Sequence, residues 1–413
     1  MTLIETGIRA KKAAEALYSA SSETKDLALT LAAQALIDNR DLILEENKKD
    51  VENGREAGLT SALIDRLTLN EDRIRGIADG MLAVRDLPDP VGVVLDDITR
   101  PNGLHIVKKA VPIGVIAVIF EARPNVSADS AALCLKSGNA SILRGGKEAI
   151  RSNIAIVNTI RGAVEKAGLP ADSVQLIEDT TRQSSVDLMH LDGYVDLLIP
   201  RGGPGLIQAV KRESSVPVIE TGAGTCHISV AGSADPDMAV NIVFNAKTSR
   251  PSVCNAVECL LISSSCADSL LPKIAEKLRT KNVEIRGDER TLAILDCAVP
   301  ASEDDWGKEF DDYIIAVRVV DSLTEAIDHI KRYSTFHSEA IITEDEAEAV
   351  LFMNSIDSAA VYWNASTRFT DGGEFGMGAE IGISTQKLHA RGPLGLKELC
   401  SEKYYIYGNG QVR

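Results

Sequence analysis

The most chemically pointed stretch of the chain is Lys247-Thr248-Ser249-Arg250-Pro251-Ser252-Val253-Cys254-Asn255-Ala256. Cys254 stands in a polar turn, two cations (Lys247 and Arg250) precede it, and the apolar run VECLLI follows. A thiol near positive charge ionises more readily, and the thiolate is the nucleophilic form. The competing reading is a buried structural thiol, because cysteines are among the most buried residue types. Two other loops have the composition of an anion cradle: Leu143-Arg144-Gly145-Gly146-Lys147 and Pro200-Arg201-Gly202-Gly203-Pro204-Gly205. Glycine lets backbone approach a ligand, a helix N-terminus presents free N–H groups, and Arg or Lys adds charge. Neither loop is a G-x-G-x-x-G or Walker sequence, so plain strand-to-helix turns remain an equal reading.

The remaining reactive side chains are less pointed. Glu220 ends an apolar run before Thr221-Gly222-Ala223-Gly224, where it suits a general base, a cofactor contact or a cap. His337 sits at a helix-to-strand turn, with a cleft-facing position as one reading; His227 alternates within a strand and reads as core. His105, His190, His329 and His389 read as surface or turn positions, and Cys226 and Cys259 as core thiols. The seven cysteines form no C-x2-C pair and have no zinc-like His spacing, so no metal is expected. An odd count fits reduced thiols and a cytoplasmic location.

These residues need a scaffold, and hydrophobic patterning supplies one. Residues 1 to about 87 read as helices, with a stripe at Leu27, Leu31, Ala35 and Ile37 and a second helical stretch over 61–87. GLHIVKKAVPIGVIAVIF reads as two strands, the first amphipathic and the second buried. ASIL, VQLI, YVDLLIP and VPVIE then alternate with helical stretches, the rhythm of a parallel doubly wound sheet. A second alternating series runs from ISVAG through VECLLI, YIIAVRVV and EAIIT to AAVYW. The tail KYYIYGNGQVR reads as a strand with no local partner, which points to another subunit or a distant arm.

Charge adds a constraint. The chain has 44 Lys+Arg against 60 Asp+Glu, a net charge of −16, which argues against a nucleic acid or anionic membrane partner. No apolar run is long enough for a membrane span, and the start lacks a signal-peptide pattern. Yet residues 100–161 hold nine bases against three acids, which fits a site for anionic groups.

Six segments carry a resemblance over essentially the whole chain: VPIGVIAVIFEARPNV, SGNASILRGGKEA, IPRGGPGLI, RPSVCNAVE, YSTFHSEAIITED and FGMGAEIGISTQKLHARGPLGL. Together they resemble the aldehyde dehydrogenase superfamily, and within it the gamma-glutamyl phosphate reductase (glutamate-5-semialdehyde dehydrogenase) family. The resemblance implies an α/β, aldehyde dehydrogenase-like fold of two doubly wound domains with a small oligomerisation arm. Implied boundaries are 1–95, 112–225 and 377–398 for cofactor binding, 226–376 for catalysis, and 96–111 with 399–413 for the arm. The implied reaction reduces L-glutamyl 5-phosphate with NADPH to L-glutamate 5-semialdehyde, NADP+ and phosphate through a cysteine thioester.

In this resemblance Cys254 matches the nucleophile, Lys147 the lysine near the adenosine ribose, Glu309 the glutamate of the nicotinamide ribose, and Glu220 the oxidative enzymes' base. Arg123 stands where those enzymes place an oxyanion-holding Asn, with Asn125 two residues on, so Arg123 is expected to hold phosphate or oxyanion. Arg144 beside Lys147 is expected to favour a 2′-phosphate, and Arg201, Gly202 and Gly203 to meet the cofactor. Lys247, Arg250 and His337 are candidates for the substrate. Expected partners are glutamate 5-kinase, as supplier of a labile acyl phosphate, and further copies of this chain in a dimer or tetramer. Three alternatives stay open: an oxidative aldehyde dehydrogenase, a cysteine hydrolase pairing Cys254 with a histidine, and a noncatalytic nucleotide-binding subunit.

Overall fold

A computed structural model describes residues 2–413 and divides them into two compact units. The first comprises residues 2–221, 376–382 and 394–413. Five helices open it: Leu3–Tyr18, Ser22–Asp38, Arg40–Glu56, Ser61–Leu67 and Glu71–Asp86. Side chains of Thr2, Ser21, Thr60 and Asn70 cap four of them by accepting backbone N–H bonds. The buried face of Ser22–Asp38 is not the expected stripe but Lys25, Ala28, Leu29, Ala32, Ala33 and Leu36; Leu27 is exposed. Its three alanines leave room for close helix packing, and the buried Lys25 is paired with Asp89 at 2.6 Å.

The sheet of this unit is parallel, in spatial order Val174–Leu176, Ala140–Arg144, Val115–Phe120, Leu197–Arg201. Every residue of Val115–Phe120 is buried, as a central strand covered on both faces requires. The expected strand VPVIE is reduced to a single bridge, Leu198 to Val218. Pro217 has no N–H to donate, which prevents a continuous ladder there. The helices Asn125–Lys136, Ile150–Lys166, Arg182–Met189 and Pro204–Glu213 connect the strands. A separate antiparallel sheet joins Val94–Thr99, His105–Pro112 and Cys400–Tyr407, so the tail strand finds its partner 294 residues back along its own chain.

The second unit comprises residues 222–375 and 383–393. Its seven-stranded parallel sheet runs Val299–Pro300, Glu284–Gly287, Ile314–Val320, Val257–Ser263, Cys226–Val230, Ser338–Ile342, Ala360–Trp363. The two strands at the first edge were not marked by hydrophobic runs of their own: Glu284–Gly287 has Ile285 as its one large apolar residue, and Val299–Pro300 is only two residues long. The central four are buried almost throughout and carry the apolar core with Leu270, Leu271, Ile274 and Leu278 of the helix Ser264–Arg279. Among the described residues no helix is long and apolar enough to cross a membrane.

Candidate active site

Cys254 lies half-buried in the turn between the helix Pro236–Thr248 and the strand Val257–Ser263. Backbone contacts define this turn closely. A Cβ on Gly224 would stand 1.4 Å from the Cys254 carbonyl oxygen, so only glycine fits. The Gly224 N–H donates to Glu309 Oε1 at 2.9 Å, and the Cys226 thiol lies 3.2 Å from the Cys254 carbonyl oxygen as a donor. Burial, the largest cause, pushes the Cys226 thiol well above its ordinary value, with the carboxylate of Glu339 adding to it. Burial likewise raises Glu309.

A second segment of the same unit grips the turn from the other side. Asn255 donates to the carbonyl of Thr370 at 2.9 Å, and Thr367 Oγ1 donates to the Asn255 carbonyl at 2.8 Å. The Arg368 guanidinium donates to Asn255 Oδ1 through one terminal nitrogen and to Ser249 Oγ at 3.0 Å through Nε. Burial lowers Arg368 most, neighbouring Arg250 lowers it further, and Asp371, Cys254 and Cys226 act in the opposite sense. Sequence reasoning missed Arg368 because it lies 119 residues from Ser249 and in no charged cluster.

Two residues expected to face the substrate are placed elsewhere. Lys247 is fully buried and bonded to Glu258 Oε2 at 2.6 Å. Burial pushes both members toward their neutral forms while each partner's charge opposes it. The ammonium is therefore committed to the core. His337 is also fully buried, with Nδ1 2.8 Å from Ser338 Oγ and 3.8 Å from the Cys226 sulfur, and does not line an open cleft. Arg250 is exposed beside this turn.

Deeper in the same unit His227, Cys259 and His329 gather within 4.8 Å, all buried, with Glu339 3.2 Å from His227 Nδ1. His329 is thus not the surface residue its sequence position implied. Burial opposes charge on His227, but Glu339 and then Cys259 outweigh it and lift the imidazole to about 10. Burial and then the charge of His227 drop His329 to about 3. The arrangement is that of a buried ion pair with a neutral histidine packed against it.

In the first unit, the loops expected to cradle a cofactor occupy the carboxyl ends of the parallel strands, where open α/β sheets bind ligands. Gly203 precedes the helix Pro204–Glu213, and its N–H donates to Glu121 Oε2 at 2.9 Å. A Cβ on Gly202 would come within 2.7 Å of the Glu121 carboxyl carbon. A cavity of about 300 Å³ opens here, walled by Lys147, Thr180, Arg182, Met189, Leu206 and Ala209 among others. Arg144 is buried and donates to the carbonyls of Thr180 and Thr181 at 2.9 and 2.8 Å and to Gly145 at 3.2 Å. It therefore braces the 180–181 turn while also lining this cavity beside Lys147. Lys147 and Arg182 are exposed cations on the cavity wall, and Arg182 was not singled out in the sequence.

Arg123 and Asn125 follow the central strand; Asn125 donates to Asp129 at 2.9 Å. Burial raises Asp129 to about 6, against the pull of Asn125 and Arg201. Glu220 pairs with Lys211 at 3.0 Å. A glycine-lined strand-to-helix turn with cations on the wall of a ligand-sized cavity fits the phosphates of a dinucleotide.

Comparison with known proteins agrees with this fold. The model of the aldehyde dehydrogenase family matches residues 8–293. Gamma-glutamyl phosphate reductase of Clostridium perfringens (strain 13) is 56% identical over 411 residues, covering 100% of this chain and 99% of the relative. The crystal structure of gamma-glutamyl phosphate reductase from Thermotoga maritima superposes with a TM-score of 0.97 at 49% identity, covering 100% and 99% of the two chains. An acetylating aldehyde dehydrogenase from Geobacillus thermoglucosidasius, 17% identical with a TM-score of 0.73 and coverage of 99% and 97%, shares the fold.

Proposed function

The chain belongs to the aldehyde dehydrogenase family, in its gamma-glutamyl phosphate reductase branch, and from that premise we propose that it reduces L-glutamyl 5-phosphate to L-glutamate 5-semialdehyde and phosphate with NADPH, a step of proline formation from glutamate. The observation that carries this reading is the half-buried Cys254, set in a tightly gripped turn beside arginine side chains. Its thiolate attacks the acyl carbon and forms the C–S bond. The resulting oxyanion collapses, and phosphate leaves with the electron pair of the broken C–O bond, giving a thioester. The Cys254 backbone N–H is the first oxyanion donor in this reading, a contact typically worth ~2.7–4 kcal/mol. Arg123, with Asn125, is assigned to the substrate's phosphate, and Arg250 to another anionic group of the substrate.

Bound NADPH supplies the hydride that takes the thioester to the aldehyde. Lys147 and Arg182 are assigned its 2′-phosphate end, Gly202, Gly203 and the following helix its pyrophosphate, and Glu309 its nicotinamide ribose; Arg201 borders the same loop. Glu220 pairs with Lys211 at 3.0 Å, and a reaction that releases phosphate needs no carboxylate to activate water. The arm of three antiparallel strands exposes Val94, Leu95, Ile98, Tyr404, Ile406 and Tyr407, and is assigned to contact with further copies of the chain. Glutamate 5-kinase is the expected supplier of the labile substrate.

The test is Cys254→Ala. It should fold and bind NADPH with unchanged affinity, yet reduce no NADP+ when given glutamate semialdehyde and phosphate. Turnover near that of the parent chain would remove Cys254 from the nucleophile's role.

A further inference from the structure

The Cys254 turn is held at two places by one side chain. Arg368 reaches Ser249, where the preceding helix ends, and Asn255, immediately after the nucleophile, so its guanidinium spans the segment that carries the sulfur. The segment around Arg368 is itself fixed: Ser366 accepts the Arg368 N–H, and Asn255 donates back to the carbonyls of Arg368 at 3.3 Å and Thr370 at 2.9 Å. We propose that Arg368 is a positioning residue for the nucleophile, bridging the two ends of the 249–255 turn and setting a fixed positive charge beside the Cys254 sulfur. The inference rests on Cys254 being the reactive thiol and goes beyond the assignments above.

The surroundings support a single ionising sulfur. Charged and titratable groups around the turn include Arg250 at the helix end, Arg368 and Asp371 on the 366–371 segment, Cys226 with His337 and Glu339 behind it, and Glu309 on the Gly224 N–H. Burial keeps Cys226 protonated, as its hydrogen bond to the Cys254 carbonyl requires. Arg368 remains a cation although burial and Arg250 lower it, because a guanidinium starts so high. A fixed cation next to a thiol favours its charged form, and the planar fork explains why arginine rather than lysine holds two anchors.

Alkylation of Cys254 by iodoacetamide, followed by peptide mass spectrometry across pH on the full chain without substrate or cofactor, tests this. Arg368→Gln should raise the half-maximal pH by about one unit, a roughly tenfold slower reaction at pH 7, with the high-pH plateau unchanged. Arg368→Lys keeps the charge and should recover at least half of that shift. Ser249→Ala removes one exposed anchor without threatening the fold, and should raise the midpoint by a few tenths of a unit. An unmoved midpoint in Arg368→Gln overturns the inference; should that variant not fold, an unmoved midpoint in Ser249→Ala does so. Normal alkylation behaviour alongside absent reductase turnover would instead overturn the proposed reaction alone.

Discussion

Gly224→Ala is the sharpest perturbation available, because the glycine meets backbone rather than a movable side chain. The added methyl would stand 1.4 Å from the Cys254 carbonyl oxygen, where real Cβ contacts essentially never fall below 3.0 Å. The two segments must therefore separate by roughly 1.6 Å or more, and the Gly224 N–H to Glu309 bond of 2.9 Å is strained with them. Overpacking costs about 1–3 kcal/mol and a hydrogen bond to a charged group is worth about 1.5–3 kcal/mol, giving roughly 2.5–6 kcal/mol together. For a unit of this size that is about 10 °C in melting temperature. A displacement of about 1 Å at a nucleophile can cost on the order of 100-fold in turnover. Differential scanning calorimetry and steady-state kinetics check both, with Gly162→Ala as control. Gly162 lies within the helix Ile150–Lys166 with nothing near its would-be Cβ, so alanine there should stabilise by about 0.5–1 kcal/mol. A Gly224→Ala protein melting within 2 °C of its parent, with turnover within about threefold, would refute the reasoning.

Other outcomes follow from the same structure. Lys247→Met leaves Glu258 buried without its partner and should cost about 3–5 kcal/mol by urea denaturation, most of it recovered in Lys247→Met/Glu258→Leu; equal losses in both would contradict a committed ion pair. Arg182→Ala should lower kcat/KM for NADPH about tenfold and leave NADH nearly unchanged; equal effects on both cofactors would remove Arg182 from the 2′-phosphate. His227 is raised in the folded chain, so its contribution to stability is complete below about 6.5 and lost as pH rises through about 10. Urea midpoints of His227→Asn should lie furthest below the parent at pH 6 and converge toward it by about pH 10, whereas a gap widening with pH would contradict this.

Much of the scaffold could be read from residue pattern, since buried parallel strands announce themselves as apolar runs such as VIAVIF and CLLI. The Cys254 turn was legible for the converse reason: a cysteine among polar residues is not packing an apolar core. What escaped was long-range pairing. A lysine in the last turn of a helix looks solvent-facing, and only Glu258, a carboxylate inside the apolar run VECLLI, signalled that Lys247 must be drawn inward. The bracing role of Arg144 was hidden because its acceptors are backbone carbonyls at 180 and 181, which no residue type reveals. Arg368 escaped because its anchors at Ser249 and Asn255 are brought to it only by folding. The stripe in Ser22–Asp38 was displaced because the buried face joins three alanines with Leu29 and Leu36, and a lysine is buried with them.

The most direct test of the chemistry is a rapid-mixing experiment with glutamate semialdehyde and NADP+, run with and without inorganic phosphate. If acyl transfer passes through the Cys254 sulfur to phosphate, phosphate-free enzyme releases a burst of about one NADPH per chain and then stalls, with a glutamyl adduct on the Cys254 peptide. Adding phosphate then restores continuous turnover. Sustained turnover without phosphate, or a burst that leaves Cys254 unmodified, would contradict the account.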